Sequence, residues 1–303
     1  MEEAFREGAG GGTARRHAMQ QRKIGSASVG AIGLGEMPMS IEGRPDEAQS
    51  LRTIHAALDA GVTLIDTADA YSLGGADTGH GERLVAKALS TWSGDSDTVL
   101  VATKGGHLRP GDGTWTVDSS PAYLRSAAEA SLKALGVEAI GLYQYHRPDP
   151  KVPYADAVGV FKELLDAGKV RMVGISNANV EQIDLALSIL GEGNLVSVQN
   201  QFSPSFRSSE GELRHCGELG VAFLPWSPFG GIGNAAALRA NFPSFPAVAE
   251  AHGVSVHQVV LAWMLAKGEH VVPIPGASRP ESILDCVGAP ELVLSPEELA
   301  SLD

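Results

Sequence analysis

Cysteine is nearly absent from this 303-residue chain. Cys216 and Cys286 are its two thiols, and they form no CxxC pair. A disulfide framework and a structural zinc site are therefore excluded as organising devices, and free thiols in a reducing cytoplasm are expected. Basic residues are scarce as well. Lys and Arg number 23 against 36 Asp and Glu, giving a formal net charge of −13. Phosphate backbones and anionic membrane surfaces bind clustered cations. Neither nucleic acid nor a membrane is expected as a partner. No uninterrupted apolar run approaches about 18 residues, so no transmembrane helix is expected. Metal-binding patterns are missing too: there is no HExxH, no His-x-His ends the first apolar run, and the nine histidines are scattered. His215 and His252 lie beside helical segments and are expected to face solvent. The N-terminus lacks the basic-then-apolar order of a secretory signal.

What remains is an ordinary globular composition, 44% hydrophobic and 19% charged, enough for a large core without staples. Residues 1–18 differ from the rest. Gly8-Ala9-Gly10-Gly11-Gly12 sits among charges and shows no periodicity. This stretch is expected to be a mobile, disordered extension, with residues 19–303 as one domain.

From Met19 onward, short β-branched runs alternate with amphipathic stretches. Expected strands are Val29–Leu34, Val62–Asp66, Thr98–Thr103, Ile140–Tyr145, Val170–Ile175, Val196–Gln199, Val221–Trp226 and Val271–Ile274. Expected helices follow each: Asp46–Ala60, Glu82–Leu89, Pro121–Leu135, Ala155–Ala167, Val180–Leu190, Glu210–Leu219, Val256–Ala266 after a longer irregular segment, and Pro280–Val287. Glycines 61, 136, 168 and 220 close four of them. Eight strand-then-helix units predict an α/β fold of the (β/α)8 TIM-barrel type. The rival, a doubly wound sheet, calls for GxGxxG after the first strand. Gly33-Leu34-Gly35 is followed by Glu36-Met37-Pro38, so the third glycine is missing. Arg22–Ser28, with a turn at Gly25-Ser26, is expected to form a hairpin closing the barrel bottom. Ser295–Leu302 is expected to be a final helix, with Pro296 at its first position.

A barrel of this kind carries its chemistry at the C-terminal ends of its strands. Those ends hold Asp66 with Tyr71 just beyond it, Thr103-Lys104, Tyr145-His146, Ser176-Asn177 and Gln199-Asn200. A tyrosine is a weak acid, and a nearby ammonium favours its phenolate and lowers its pKa. A carboxylate keeps that ammonium charged, and a neutral imidazole can hold a carbonyl oxygen. Together these groups could protonate a developing alkoxide. Lys104 alone could instead form a Schiff base, as in barrel aldolases.

Five segments resemble the motifs of the aldo-keto reductases. They are Asp66-Thr67-Ala68-Asp69-Ala70-Tyr71, Val101-Ala102-Thr103-Lys104, Tyr143-Gln144-Tyr145-His146-Arg147, Gly168-Lys169-Val170-Arg171 with Gly174-Ile175-Ser176-Asn177, and Pro273-Ile274-Pro275-Gly276. The resemblance spans roughly residues 19–303. Loops Asp69–Arg83 and His146–Pro153 look most like a bacterial branch that includes pyridoxal reductases. The resemblance implies reduction of an aldehyde or ketone with NADPH, which is converted to NADP+. It implies Tyr71 as the general acid, Lys104 as the residue that tunes it, Asp66 as the partner of Lys104, and His146 as the carbonyl-orienting group. It implies Ser176, Asn177 and Gln199 at the nicotinamide carboxamide, with Trp226 stacked on the ring. Met37 and the loop Ser227–Gly231, including Gly230, would lie against the cofactor. Gly276, Arg279 and Asp285 would serve its adenosine end, with Arg279 on the 2′-phosphate. Where relatives often carry an acidic residue and then Asn, this chain has Asp285-Cys286.

Candidate substrate-pocket walls are Met37, Trp115, Tyr145 and Phe202. Loops Ser72–Gly81 and His107–Val117 could gate the mouth. The implied partner is a small carbonyl compound: pyridoxal, a sugar or a secondary-metabolite ketone. The chain carries no obvious oligomerisation device, so a monomer is expected. Another reading remains open, a nicotinamide-binding regulatory or redox-sensing barrel with little turnover.

Overall fold

The computed structural model describes residues 19–231, 238 and 240–303. The extension expected over residues 1–18 lies outside them. The described chain opens with an antiparallel hairpin, β1 (Gln21–Ile24) and β2 (Ala27–Gly30). Seven parallel strands follow: β3 (Leu34–Gly35), β4 (Leu64–Asp66), β5 (Leu100–Gly105), β8 (Leu142–Tyr145), β9 (Val173–Ser176), β10 (Leu195–Gln199) and β11 (Ala222–Phe223). They neighbour one another in sequence order across one sheet. Helices α1 (Glu47–Asp59), α2 (His80–Thr91), α3 (Pro121–Leu135), α4 (Tyr154–Asp166), α5 (Val180–Leu190) and α6 (Glu210–Leu219) cover its outer face.

The eighth position is filled by Val271–Pro275, which bonds to both sheet edges. Val272 and Ile274 donate to Phe223 and Pro225, at 2.9 and 3.2 Å, while Gly33 and Gly35 donate to the carbonyls of Pro273 and Pro275, both at 2.9 Å. The barrel is thus closed. Val271–Ile274 was expected as a strand, yet it makes isolated bridges only. The reason is local. Pro273 and Pro275 accept on the β3 side but have no N–H to return, so half of that ladder is missing. The expected strand Val29–Leu34 is also divided. Val29 and Gly30 belong to the hairpin, and the barrel strand begins at Leu34.

Alternation along the strands separates the barrel interior from its wall. Leu64, Leu100, Ala102 and Leu142 point inward and join Ile24, Val29, Met172, Val196, Leu224 and Val272 in one apolar cluster. Tyr143, Tyr145, Val173, Ile175 and Val198 point outward and pack under the helices. The hairpin plugs the N-terminal end, as expected. Its turn residue Gly25 has φ +54°, and a Cβ there would meet Val196 Cγ1 at 2.6 Å, so this close approach requires glycine.

Helix ends follow the sequence signals closely. Ser120 caps α3 through Tyr123 N–H, Pro121 opens it, and Gly136 ends it at φ 68°. Asn179 and Gln182 form a capping box on α5, as Ser295 and Glu298 do on the last helix, Pro296–Leu302. Two features of the long connections were not anticipated. The irregular segment contains a helix, Ser244–His252, and the loop after β5 carries a short hairpin, β6 (His107–Leu108) with β7 (Thr116–Val117). His252 and His215 do not simply face water. They bond Glu298 and Asp184 respectively, each at 2.7 Å. No helix among the described residues is long and apolar enough to cross a membrane.

Candidate active site

The same inward-pointing positions that carry leucine lower in the barrel carry polar groups at its C-terminal mouth. On β4, Leu64 is followed by Asp66. On β5, Ala102 is followed by Lys104, and on β8, Leu142 by Gln144. Lys104 is fully buried, and its Nζ makes three contacts: Asp66 Oδ2 at 2.6 Å, the Thr67 carbonyl at 2.8 Å and the Tyr71 hydroxyl at 3.2 Å. Asp66 Oδ1 accepts from the side-chain amides of Gln144, at 3.1 Å, and Gln199, at 2.7 Å. Every oxygen of this buried carboxylate is therefore engaged, which meets the condition for holding an ion pair inside a protein. Gln144 was not singled out in the sequence. Its inward parity on β8, two residues beyond Leu142, is the signal that marks it.

Burial works against the Lys104 ammonium, but Asp66 and Tyr71 outweigh it and raise its pKa. The Tyr71 phenol was expected to be pulled below its ordinary value. Instead burial, the larger influence, raises it, and Lys104 offsets only part of that. Tyr71 therefore keeps its proton. His146 packs edge-on to the Tyr71 ring with centroids 5.8 Å apart. Burial, reinforced by Lys104, holds its imidazole well below the usual range, so it is neutral.

These residues open onto a cavity of about 610 Å³. Asp66, Tyr71, His146, Met37, Ser176, Asn177, Gln199, Trp226, Ser227 and Gly276 all line it, and Lys104 lies directly behind. Asn177 donates to the His146 carbonyl at 2.9 Å and to Ser176 Oγ at 3.0 Å. Among the described residues, Asn177 and Ser227 are the non-glycine residues with positive φ, 57° and 51°. Both stand at strand ends on this cavity, and backbone strain of this kind concentrates at functional sites. Gly230 closes the tight turn after Ser227, donating to its carbonyl at 2.9 Å, and its neighbours Phe229 and Gly231 line the cavity.

Of the adenosine-end candidates, Gly276 belongs to this lining and Arg279 and Asp285 do not. Arg279 is exposed, three residues past Gly276. Asp285 accepts from Ser255 at 2.6 Å and from Gln258 at 2.9 Å, both on the neighbouring helix Val256–Leu265 or its cap. Two of the four candidate pocket walls are also corrected. Tyr145 points outward, bonds Ser119 at 2.8 Å and packs on Tyr154 and Phe161. Phe202 stacks on Trp263 in the core, with centroids 5.3 Å apart. Trp115 does line the cavity. It stacks on His107, which in turn meets His146 edge-on at 4.7 Å. His107 and Phe229, from loops expected at the mouth, and Arg147, from a quoted motif, also line the cavity, though none was singled out individually.

Behind the cavity Glu36 is fully buried. Thr67 donates to it at 2.9 Å. Ser40 donates to it as well, and the Ser40 oxygen also meets His80 Nδ1 at 2.9 Å. Burial pushes its carboxyl up to about 7. No group of three or more potential metal ligands occurs among the described residues.

A model of the aldo/keto reductase family matches residues 31–303. An uncharacterized oxidoreductase of Schizosaccharomyces pombe is 33% identical over 285 residues, covering 93% of this chain and 88% of that one. The 6-dehydroglucose reductase of Novosphingobium aromaticivorans is 34% identical over 273 residues, covering 87% and 88%. Among solved structures, the glycerol dehydrogenase of Gluconobacter oxydans superposes with a TM-score of 0.79 at 27% identity, over 93% of each chain. An aldo/keto reductase of Klebsiella pneumoniae, crystallised with NADP and acetate, gives 0.77 at 28% identity, over 94% and 95%.

Proposed function

The chain belongs to the aldo/keto reductase family, and from that premise we propose that it reduces an aldehyde or ketone to an alcohol with NADPH. The observation that carries this reading is the triple contact of Lys104 Nζ with Asp66, Thr67 and the Tyr71 hydroxyl.

The residues present fit a nicotinamide cofactor. Ser176, Asn177 and Gln199 offer hydroxyl and amide groups on one wall of the cavity, suited to a carboxamide, and Trp226 offers a flat aromatic face. When bound, the cofactor supplies hydride to the carbonyl carbon. Tyr71 then gives its hydroxyl proton to the carbonyl oxygen. Lys104, 3.2 Å away and held charged by Asp66, stabilises the phenolate left behind. His146, neutral, orients the carbonyl oxygen through a ring N–H. Arg279, exposed outside the cavity lining, would hold the 2′-phosphate. Pyridoxal, a sugar or a secondary-metabolite ketone would fit the volume.

The test combines fluorescence titration of NADPH and NADH with aldehyde-dependent NADPH oxidation. Tyr71→Phe should cut kcat by about 10²- to 10⁴-fold, the usual worth of a general acid, and keep NADPH affinity within a few-fold. Full activity in that variant would remove Tyr71 from its role. Arg279→Ala should weaken NADPH by roughly tenfold and leave NADH unchanged.

A further inference from the structure

The proposed proton and hydride transfers leave one part of the cavity without a task. Beyond Tyr71 and His146 its wall continues through His107, Trp115 and Arg147. Arg147 is half-buried, and its Nε is enclosed without a hydrogen-bond partner. Among the described residues no carboxylate pairs with its guanidinium. Arg22, in the hairpin at the opposite end of the barrel, shares this state, whereas four other arginines have carboxylate partners. Arg44 is tied to Asp77, Arg109 to Glu42, Arg125 to Glu163 and Arg207 to Glu210. An arginine cannot relieve its burial by losing a proton, so an unpaired guanidinium in a cleft is a standing demand for an anion.

Among the described residues, nothing in the cavity meets that demand. Asp66 is the only carboxylate among the described lining residues, and Lys104, Gln144 and Gln199 occupy both its oxygens. His107 and His146 are held neutral, so they add no positive charge beside Arg147, and each can still donate a hydrogen bond. The chain as a whole carries −13. An unopposed cation inside the cleft of an acidic protein focuses attraction for anions at that one place. The lining also includes the apolar side chains of Met37, Ile41 and Phe229, which suit the carbon skeleton of a small molecule.

We infer that Arg147 determines specificity, and that the substrate carries a carboxylate or another oxyanion distal to its reacting carbonyl, paired by Arg147 while the carbonyl faces Tyr71 and His146. This rests on the reductase reading above. The oxyanion could be a carboxylate or a phosphate, since a guanidinium fork accepts either in bidentate fashion.

The experiment compares para-formylbenzoate, its methyl ester and para-formylphenyl phosphate as substrates of the NADPH-loaded full chain. The wild type should favour at least one anion over the ester by roughly 10- to 100-fold in kcat/KM, mainly through KM. The better anion identifies the oxyanion class. Arg147→Gln should bring the ratio near one, and Arg147→Lys should restore part of it. NADPH affinity is measured in both variants. If Arg147→Gln weakens NADPH and leaves the anion preference intact, the guanidinium serves the cofactor and the inference is overturned. Calorimetric titration of the wild type and Arg147→Gln with the same three compounds reads anion preference whether or not reduction follows. Anion preference that depends on Arg147, without turnover of any aldehyde, would refute the reductase reading and uphold Arg147. Turnover of the ester with no anion preference in either measurement would do the reverse.

Discussion

The two ends of this barrel are built from the same strands and obey opposite rules. At the N-terminal end the inward positions are Leu64, Leu100, Leu142 and Val196, sealed by Ile24 and Val29 of the hairpin. The cluster there is apolar, and the backbone approaches so closely that Gly25 has no room for a side chain. At the C-terminal end, one or two inward positions further along, stand Asp66, Lys104 and Gln144. That end carries the buried ion pair, the two strained non-glycine residues and the unpartnered polar atoms of His146, His107 and Arg147. The strands thus change from packing to chemistry within about 7 Å, the rise of two residues. The apolar floor supplies the rigidity that a charged, incompletely satisfied mouth cannot supply for itself.

The sharpest way to break this division is at the mouth. Lys104→Met should abolish reduction and also destabilise the fold by about 3–5 kcal/mol, because it leaves Asp66 buried without its cation. Urea unfolding measures the second effect. Adding Asp66→Asn to that variant should recover much of the stability and none of the activity, which separates the two roles. At the floor the pattern inverts. Ile24→Ala should cost about 2–4 kcal/mol by opening a cavity in a fully buried site, with kcat changed less than about twofold. A large loss of kcat there would mean that floor and mouth are coupled.

The smallest effect sharpens the comparison through pH. Glu36 lies between the two regimes, buried like a floor residue but carrying a carboxyl. Its folded pKa is about 7, against an ordinary 4.5. Between those values the folded protein holds the extra proton, so this group's contribution to stability falls as pH rises from 4.5 to 7. Glu36→Gln should therefore stabilise the protein at pH 8, by up to roughly 3 kcal/mol, and do little at pH 4. Thermal unfolding across that range checks the sign.

The barrel was legible because each βα joint announces itself: a β-branched run, a polar residue at its end, an amphipathic stretch and a closing glycine. The catalytic candidates were legible for the same reason, since Asp66, Lys104 and His146 each end such a run. Tyr145 and Phe202 misled because position near a strand end does not say which way a side chain points. Tyr145 differs by one residue from inward Gln144 and so faces the helices. The helix Ser244–His252 was missed because Pro243 and Pro246 interrupt its pattern, although Pro246 sits in the first turn, where its absent N–H costs little. Glu36 carries no local signal, and Arg147 stands in a quoted motif without any sign of its role. Their significance comes from neighbours brought together by the closed barrel.

That closure has a consequence for how the chain is made. Gly33 and Gly35 bond to Pro273 and Pro275, partners about 240 residues away in sequence, so the ring can shut only after almost the entire polypeptide has left the ribosome. Until then the first strand has an open edge, and the floor hairpin is the only early structure that can occupy the apolar interior beneath it. The hairpin Gln21–Gly30, assembled from residues a few positions apart, is suited to act as a placeholder during synthesis. It can cover the apolar interior from below, while the edge of the first strand stays open until Val271–Pro275 arrives.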